Sequence, residues 1–413
     1  MCIDMKEKRR PSPPLWRSVL KHFLLLIVLL ALGACLYISP FVLFVGDLLI
    51  HSPPFQRTLD SFRHRNHIPV LVPKTSEHIA FVCKGDADSY GNSLYTIRPD
   101  GGHLRDISVD KSRIHYHLDW SPDGEWLALT LGYRNMAALM DEWNTISPYD
   151  EVYRVRYDGT ETRRLTYENS YKNTPRWTSD GKDILFHDSL SGSWLLHRVS
   201  SRATNTHAVT TFEIAGFDLS FDRQKVAAIA LNREFGQKSL YQLNPDGTES
   251  EYLMTPDIDV SDIHLSPDKH RILYYSHSGR LHIFNIQASK EESVPPIRVG
   301  RARWSPDNRR IAIIGGLDRY RENDDWTIIQ GTMADELSST LFLFDLDTGL
   351  LKQVLDLPGL HSSSLSWSPD GQWLAFSHGS PNAQVHKIRG DGSGLQQLTD
   401  LDCNAYGVAW SPQ

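Results

Sequence analysis

Cysteine is scarce in this chain, with four in 413 residues. A disulfide framework of the kind that holds small secreted domains together is therefore excluded, and the fold has to rest on a hydrophobic core. An excess of positive charge is also absent. Lys and Arg total 43 against 50 Asp and Glu, a formal net charge of -7, which excludes nucleic acid as a partner because phosphate binding requires a basic surface. No G-x-S-x-G nucleophile elbow occurs, so an α/β-hydrolase is not indicated. Asp86-x-Asp88 has acidic spacing suited to Ca²⁺ but lacks the Gly and downstream Glu of an EF-hand loop. With 40% hydrophobic and 23% charged residues, the composition is that of a globular body.

What the chain does contain is one short pattern, repeated. Trp120-Ser121-Pro122-Asp123-Gly124 returns as Trp177-Thr178-Ser179-Asp180-Gly181, Leu219-Ser220-Phe221-Asp222, Leu265-Ser266-Pro267-Asp268, Trp304-Ser305-Pro306-Asp307-Asn308, Trp367-Ser368-Pro369-Asp370-Gly371 and Trp410-Ser411-Pro412. From Asp to Asp the first six copies lie 57, 42, 46, 39 and 63 residues apart, the spacing of radially arranged four-stranded units. Pro presets φ in such a turn, and Asp and Gly accept its remaining angles. A short strand follows each turn, as in Trp126-Leu127-Ala128-Leu129, and then a third strand. A Gly-bearing turn (Asp158-Gly159, Asp246-Gly247, Asp391-Gly392) leads to a fourth strand closing on Leu-Thr or its equivalent. A sheet of this size cannot bury both faces alone, so neighbours must stack around an axis. The expected fold class is all-β: a β-propeller.

The ends of the repeat array set the blade count. Ile79-Ala80-Phe81-Val82 matches the second strand of other units with no turn motif before it, whereas Val408-Ala409-Trp410-Ser411-Pro412 is a first strand with nothing after it. If the C-terminal strand completes the N-terminal unit, the ring closes with seven blades; six blades plus one degenerate repeat is the alternative.

These repeats resemble the WD40-like Pro-Asp family of propellers, which includes TolB and the propeller domains of prolyl oligopeptidase-type peptidases. The likeness covers residues 78–413. It implies architecture, while the activity of such propellers is mostly binding or gating. Neither the N-terminal α/β domain of TolB nor a peptidase domain has a counterpart in this sequence.

Phe23 to Val45 forms a run of 23 residues without a charge, long enough at about 1.5 Å per residue to span a bilayer core of roughly 30 Å as one transmembrane helix. Lys6, Lys8, Arg9, Arg10, Arg17 and Lys21 precede it and Asp47 is the first charge after it. The positive-inside rule then keeps residues 1–22 in the cytosol, makes 23–50 a signal anchor and 51–77 a linker, and sends the propeller to the extracytoplasmic side of a single-pass membrane protein. Two other readings exist. Leu32-Gly33-Ala34-Cys35 looks like a lipobox that would make Cys35 a lipidation site, and a wholly cleaved secretory signal is the third option.

Cys83, at the end of the second strand of the first repeat, and Cys403, just before the closing strand, are the two cysteines outside this N-terminal region. Aligning the closing unit on the Trp120 hairpin puts position 405 opposite Cys83, so a ring-locking disulfide is expected if the intervening loop bends; two unpaired thiols are the alternative.

Both long insertions, Gly132 to Glu151 and Gly316 to Thr340, fall between second and third strands and therefore leave from the same face as the inter-blade loops. Insertions tend to carry function in repeat folds. That face is expected to hold Asp86, Asp88 and Tyr90, Asp141-Glu142-Trp143, Tyr149-Asp150 and Asp324-Asp325-Trp326, together with His115, His117, His361 and His378. Tryptophans beside carboxylates can stack on a sugar ring and bind its hydroxyls, or take up basic and aromatic anchors of a protein partner. They can equally pack their own loops. The expected ligand residues are Asp141, Trp143, Asp324, Asp325, Trp326, His115, His117 and His361, with a protein or glycan as partner. A His-based metal site near the axis, as in the oligogalacturonate lyases, is the enzymatic alternative, but His115-Tyr116-His117 without a fixed third ligand is a weak metal pattern. No metal, cofactor or catalytic residue is therefore assigned.

Overall fold

A computed structural model describes residues 77–85, 92–132, 150–189, 192–232, 236–276, 279–317, 340–356, 360–379 and 382–412. The apolar run 23–45, Cys35 and all of the linker 51–77 except Glu77 lie outside them. Among the described residues no helix is long and apolar enough to cross a membrane.

Seven four-stranded antiparallel sheets make up the compact unit Thr75–Gln413. Blade 1 is built from both ends of the chain: Asn404–Trp410 is its inner strand, followed outward by Ile79–Lys84, Asn92–Ile97 and Arg105–Asp106. The other inner strands are Ile114–Trp120, Lys172–Trp177, Ile214–Leu219, Val260–Leu265, Ile297–Trp304 and Leu360–Trp367, in blades 2 to 7. The expected seven-bladed ring closed by the C-terminal strand is what forms.

The core lies between the blades. Each of seven apolar clusters joins residues of two neighbouring sheets, and the set closes on itself. The second strand of blade 1 shows why. Ile79, Phe81 and Cys83 turn to Ala375 and Val385 of blade 7, while Ala80 and Val82 turn to Leu127 and Leu129 of blade 2. Side chains alternate across a strand, and here both faces meet another sheet, so these strands read as unbroken apolar runs. Truncating Phe81, which is fully buried, would cost about 3–5 kcal/mol.

The Ser-Pro-Asp turn earns its repetition through hydrogen bonds. Ser121 Oγ donates to Asp123 Oδ1 (2.5 Å) and accepts from Trp126 N (2.9 Å), while Asp123 Oδ1 also accepts from Glu125 N (3.0 Å). The same three bonds recur around Ser266, Ser305 and Ser368. The fifth position of the motif has positive φ in all six copies that have one: Gly124, Gly181 and Gly371, but also Arg223, Lys269 and Asn308 at 58°, 66° and 61°. A left-handed non-glycine residue is disfavoured by roughly 1 kcal/mol, so the last three need a compensating contact. They have one. Lys269 Nζ bonds Asp222 Oδ2 and Asn308 Nδ2 bonds Asp268 Oδ2, both at 2.6 Å, each reaching the motif aspartate of the preceding blade. Arg223 reaches further, to Asp119 (2.6 and 3.3 Å) and to the carbonyls of Trp120 and Trp177.

The motif tryptophans make the complementary link at the inner edge. Trp120, Trp304 and Trp367 each donate Nε1–H to the carbonyl one residue before the equivalent position of the preceding blade: Ala409, His264 and Arg303. At the closing seam, Ser411 exchanges hydrogen bonds with His78 and Trp410 Nε1 donates to Glu77. Cys83 pairs in register with Ala405, and Cys83 and Cys403 are joined by a disulfide with Cα atoms 5.7 Å apart and 320 residues between them in sequence.

Candidate functional site

Every inner strand pairs with its second strand through a register shift a few residues before the motif turn, between Tyr116/Asp119, Asn173/Arg176, Ile214/Gly216, Val260/Asp262, Val299/Arg301 and Leu360/Leu365, with its counterpart in blade 1 opposite Ala80/Val82. Bulges re-aim side chains. Here the residue just before the motif Trp or Leu bonds across blades in blades 2 to 6, at Asp119, Arg176, Asp218, His264 and Arg303; the same position is Ser366 in blade 7, whose Oγ accepts from Trp410 N, and Ala409 in blade 1, which packs against the blade 1–2 cluster. Two residues earlier stand His117, Thr174, Gly216, Asp262, Arg301, Ser364 and Gly407.

Arg176, Asp218, His264, Asp262, Arg301 and Arg303 form one electrostatic network. Arg176 Nε bonds Asp218 Oδ1 (3.3 Å), whose Oδ2 accepts from His264 Nδ1 (2.7 Å). Arg303 Nη1 meets His264 Nε2 (2.6 Å), which also lies 3.3 Å from Asp262 Oδ2. Arg301 Nη1 lies 3.3 Å from Asp262 Oδ2, and that carboxylate also accepts from Tyr275 OH. Asp119 is closed off by the Arg223 fork and by Trp177 N (2.7 Å). Side-chain accessibilities run from 5% for His264 to 33% for Asp262, because the groups are enclosed by protein yet open to a narrow channel. Burial pushes the Asp218 carboxyl up, but the His264 hydrogen bond and the Arg176 and Arg303 guanidinium groups outweigh it and bring it down to about 2. Asp262 is likewise held well below the usual carboxylate range by His264, Arg303 and Arg301 against its burial.

The two histidines expected to share a site are separated by the bulge. His117 has φ 55° and is exposed in the channel, where enclosure, Arg176 and Arg301 lower it to about 4. His117 belongs to blade 2 and Arg301 to blade 6, so they act on each other across the axis. His115 turns the other way. It is fully buried between blades 1 and 2, accepts from Val109 N through Nε2 (3.1 Å) and donates from Nδ1 to Asn92 Oδ1 (2.9 Å). Burial lowers it to about 4; both ring nitrogens are occupied, and it works as a pin between blades. His361 lies on the inner strand of blade 7, near its start. Asp141, Trp143, Asp324, Asp325 and Trp326, with Asp86, Asp88, Tyr90, Glu142 and Tyr149, lie outside the described residues. The strands flanking the two long insertions end at Gly132 and Leu317 and resume at Glu151 and Thr340, all at the end of the ring opposite the Ser-Pro-Asp turns. Among the described residues, no three His, Cys, Asp or Glu side chains gather as metal ligands.

Sequence reading missed the channel. Its signal was available: at the position before the motif Trp or Leu, five consecutive copies carry Asp, Arg, Asp, His and Arg, and the remaining two carry Ser and Ala.

The fold and channel define the protein as a seven-bladed β-propeller. No family model matches the chain, and neither does any curated protein sequence. Among solved structures it is similar to an oligogalacturonate lyase in complex with manganese (TM-score 0.53, 12% identity, covering 78% of this chain and 85% of that one). It is also similar to a puromycin hydrolase (TM-score 0.55, 14% identity, 78% of this chain), of which it spans about half, 52%. TolB from Acinetobacter baumannii aligns with a TM-score of 0.49 at 16% identity, over 86% of this chain and 70% of that one. At these identities the likeness to the first two is one of fold.

Proposed function

We propose that this protein is a membrane-anchored, extracytoplasmic binding or scaffolding module. It takes up a protein or glycan on the end of the ring from which segments 133–149 and 318–339 emerge. One observation carries this reading: both insertions interrupt the same second-to-third-strand connection, at the end opposite Glu77, where the chain joins the ring. The aromatic and acidic residues Trp143, Trp326, Asp141, Asp324 and Asp325 supply the contact chemistry. A metal-dependent polysaccharide lyase remains the alternative; it would draw on His117 and His361, since both nitrogens of His115 are taken.

The test is site-specific photo-crosslinking of the full chain in its own membrane, with probes at Trp143 and Trp326 and a control at Lys182, an exposed residue of a Ser-Pro-Asp-type turn. Adducts at the first two positions and none at the third support the proposal; equal labelling, or labelling only at Lys182, removes it. Protease treatment of sealed vesicles checks the orientation: the propeller should be digested only from the extracytoplasmic side.

A further inference from the structure

Exposed aliphatic side chains are ordinary when they are scattered singly over a surface. On this ring they are grouped. Among the described residues the exposed large aliphatic side chains are Leu104, Leu350 and Leu395, at 41%, 67% and 46%. Each is the residue just before the outer strand of its blade, at the end of the turn joining third and fourth strands: Leu104 before Arg105–Asp106, Leu350 before Leu351–Asp356 and Leu395 before Gln396–Gln397. Those strands belong to blades 1, 6 and 7, which are neighbours around the ring. At the same position blades 2 to 5 carry Glu161, Asn205, Ser250 and Ser289, all exposed and polar. The rim therefore has one apolar arc, on the end of the ring that holds the Ser-Pro-Asp turns.

The three leucines stand on preformed turns. Arg98 N donates to Gly102 O, Asp345 N to Leu350 O and Arg389 N to Ser393 O, each at 2.9 Å. An aspartate closes each turn from within, Asp100 accepting from Gly102 N, Asp345 from Thr348 N and Asp391 from Ser393 N, all at 2.8 Å. Neighbouring turns are also tied together: Lys352 Nζ of blade 6 donates to the carbonyl of Asp391 in the blade 7 turn (2.8 Å), and Gly101 in the blade 1 turn lies close to the carbonyl of Leu398 in blade 7. Docking on this arc would order little beyond three side chains. The exposed aromatic side chains lie elsewhere, Tyr167 and Tyr171 in the connection from blade 2 to blade 3 and Phe221 and Tyr252 in blade 4. A protein partner is normally held by a central cluster of aromatic or arginine anchors. Aliphatic groups set one to a blade along a curve suit a broad surface into which each dips separately.

We propose that the rim of blades 6, 7 and 1 rests on a lipid bilayer, with Leu104, Leu350 and Leu395 entering the boundary between headgroups and acyl chains. The choice of lipid rests on the membrane-anchored reading above. The chain enters the ring in this same arc and at this same end: Glu77, which accepts from Trp410 Nε1, leads into Ile79–Lys84, and the uncharged run 23–45 precedes it in sequence. Three leucines alone would hold a free protein only weakly; on a chain already anchored, docking is intramolecular and the same contacts suffice. The opposite end of the ring, where the insertions emerge, takes no part in this contact.

Photo-crosslinking of the full chain, reconstituted in phosphatidylcholine vesicles, tests the contact. A benzophenone-bearing residue replaces Leu104, Leu350 or Leu395 in turn, and, for comparison, Glu161, Asn205 or Ser289 at the equivalent position of blades 2, 3 and 5; lipid adducts are read by mass spectrometry. Adducts at the leucine positions should exceed those at the polar positions about tenfold, a ratio that burying a single leucine side chain suffices to give. With the probe at Leu395, Leu104→Ser together with Leu350→Ser should cut its adducts several-fold. Equal adducts at the two sets of positions, adducts only at the polar set, or indifference to the paired serine substitutions overturn the proposal. Alkaline carbonate extraction before irradiation reports the anchor separately. A chain released by carbonate refutes the anchored reading, whereas a retained chain without leucine-specific adducts refutes the docking alone; in either case the adduct pattern decides whether the rim meets lipid.

Discussion

Two arcs of one ring are held together by different physics. Blades 2 to 6 are stitched by charge: Arg223 spans from blade 4 to Asp119 in blade 2, Lys269 and Asn308 each reach back one blade, and the channel network runs from Arg176 to Arg303. Blade 1 is instead closed by strand pairing between the two ends of the propeller, by a disulfide beside that pairing, and by an apolar cluster shared with blade 7. The lesson lies in the departures from the repeat. Where the motif glycine survives, it lies close against a proline residue of the neighbouring blade, Gly124 by Pro412 and Gly371 by Pro306. Where it is replaced, the new side chain makes a bond that a glycine cannot, and that bond offsets the left-handed backbone.

The largest break in the stitched arc should come from Arg223→Gly. It restores the repeat consensus and relieves the backbone, but it leaves the mostly enclosed Asp119 carboxylate without its fork. A loss of about 3 kcal/mol is expected by urea denaturation; a gain in stability would show the stitch to be dispensable. Asp119→Asn in the same chain should recover part of the loss.

The seam of the other arc is tested by Cys83→Ser with Cys403→Ser. Opening a covalent loop of this length should cost about 2–4 kcal/mol, without the salt dependence expected for the stitched arc, and reduction of the wild type should reproduce the effect. An unchanged unfolding midpoint would mean that strand pairing alone closes the ring.

Acid should act first on blades 1 to 3. His115 and His187 are each lowered to about 4 in the fold, chiefly by burial. The unfolded chain, with histidines near 6.5, therefore binds protons before the folded one, and stability falls as pH drops from about 6.5 to about 4. Asp218 and Asp262 follow. Their folded values lie below the unfolded value near 3.9, so their contribution is complete above it and is lost as pH falls below it, toward about 2 for Asp218. Urea midpoints measured across this range should show a first limb that flattens in His115→Gln and a second that flattens in Asp218→Asn.

The smallest effect belongs to Lys269→Gly. The Lys269 and Asp222 side chains are 35% and 43% exposed, so losing the pair should cost under about 1 kcal/mol and vanish in high salt, with part regained from the relaxed backbone.

The sequence by itself determined the propeller, and it pointed to seven blades and a closing strand while leaving six open, because these follow from local chemistry: the Ser-Pro-Asp turn is a self-contained hydrogen-bonded unit, and the apolar runs beside it need a sheet on each face. The register that sets Cys83 opposite Ala405 was legible for the same reason. The channel was decided by tertiary structure alone. An extended reading puts His115 and His117 on one side, whereas the recurring bulge sends one into a blade interface and the other to the axis. Likewise nothing local in Arg223 or Arg303 distinguishes a turn residue from a three-blade fastener, or a surface cation from a member of an enclosed charge network. Those roles exist only when residues from blades distant in sequence converge on one axis, where enclosure makes each charge answer to its neighbours.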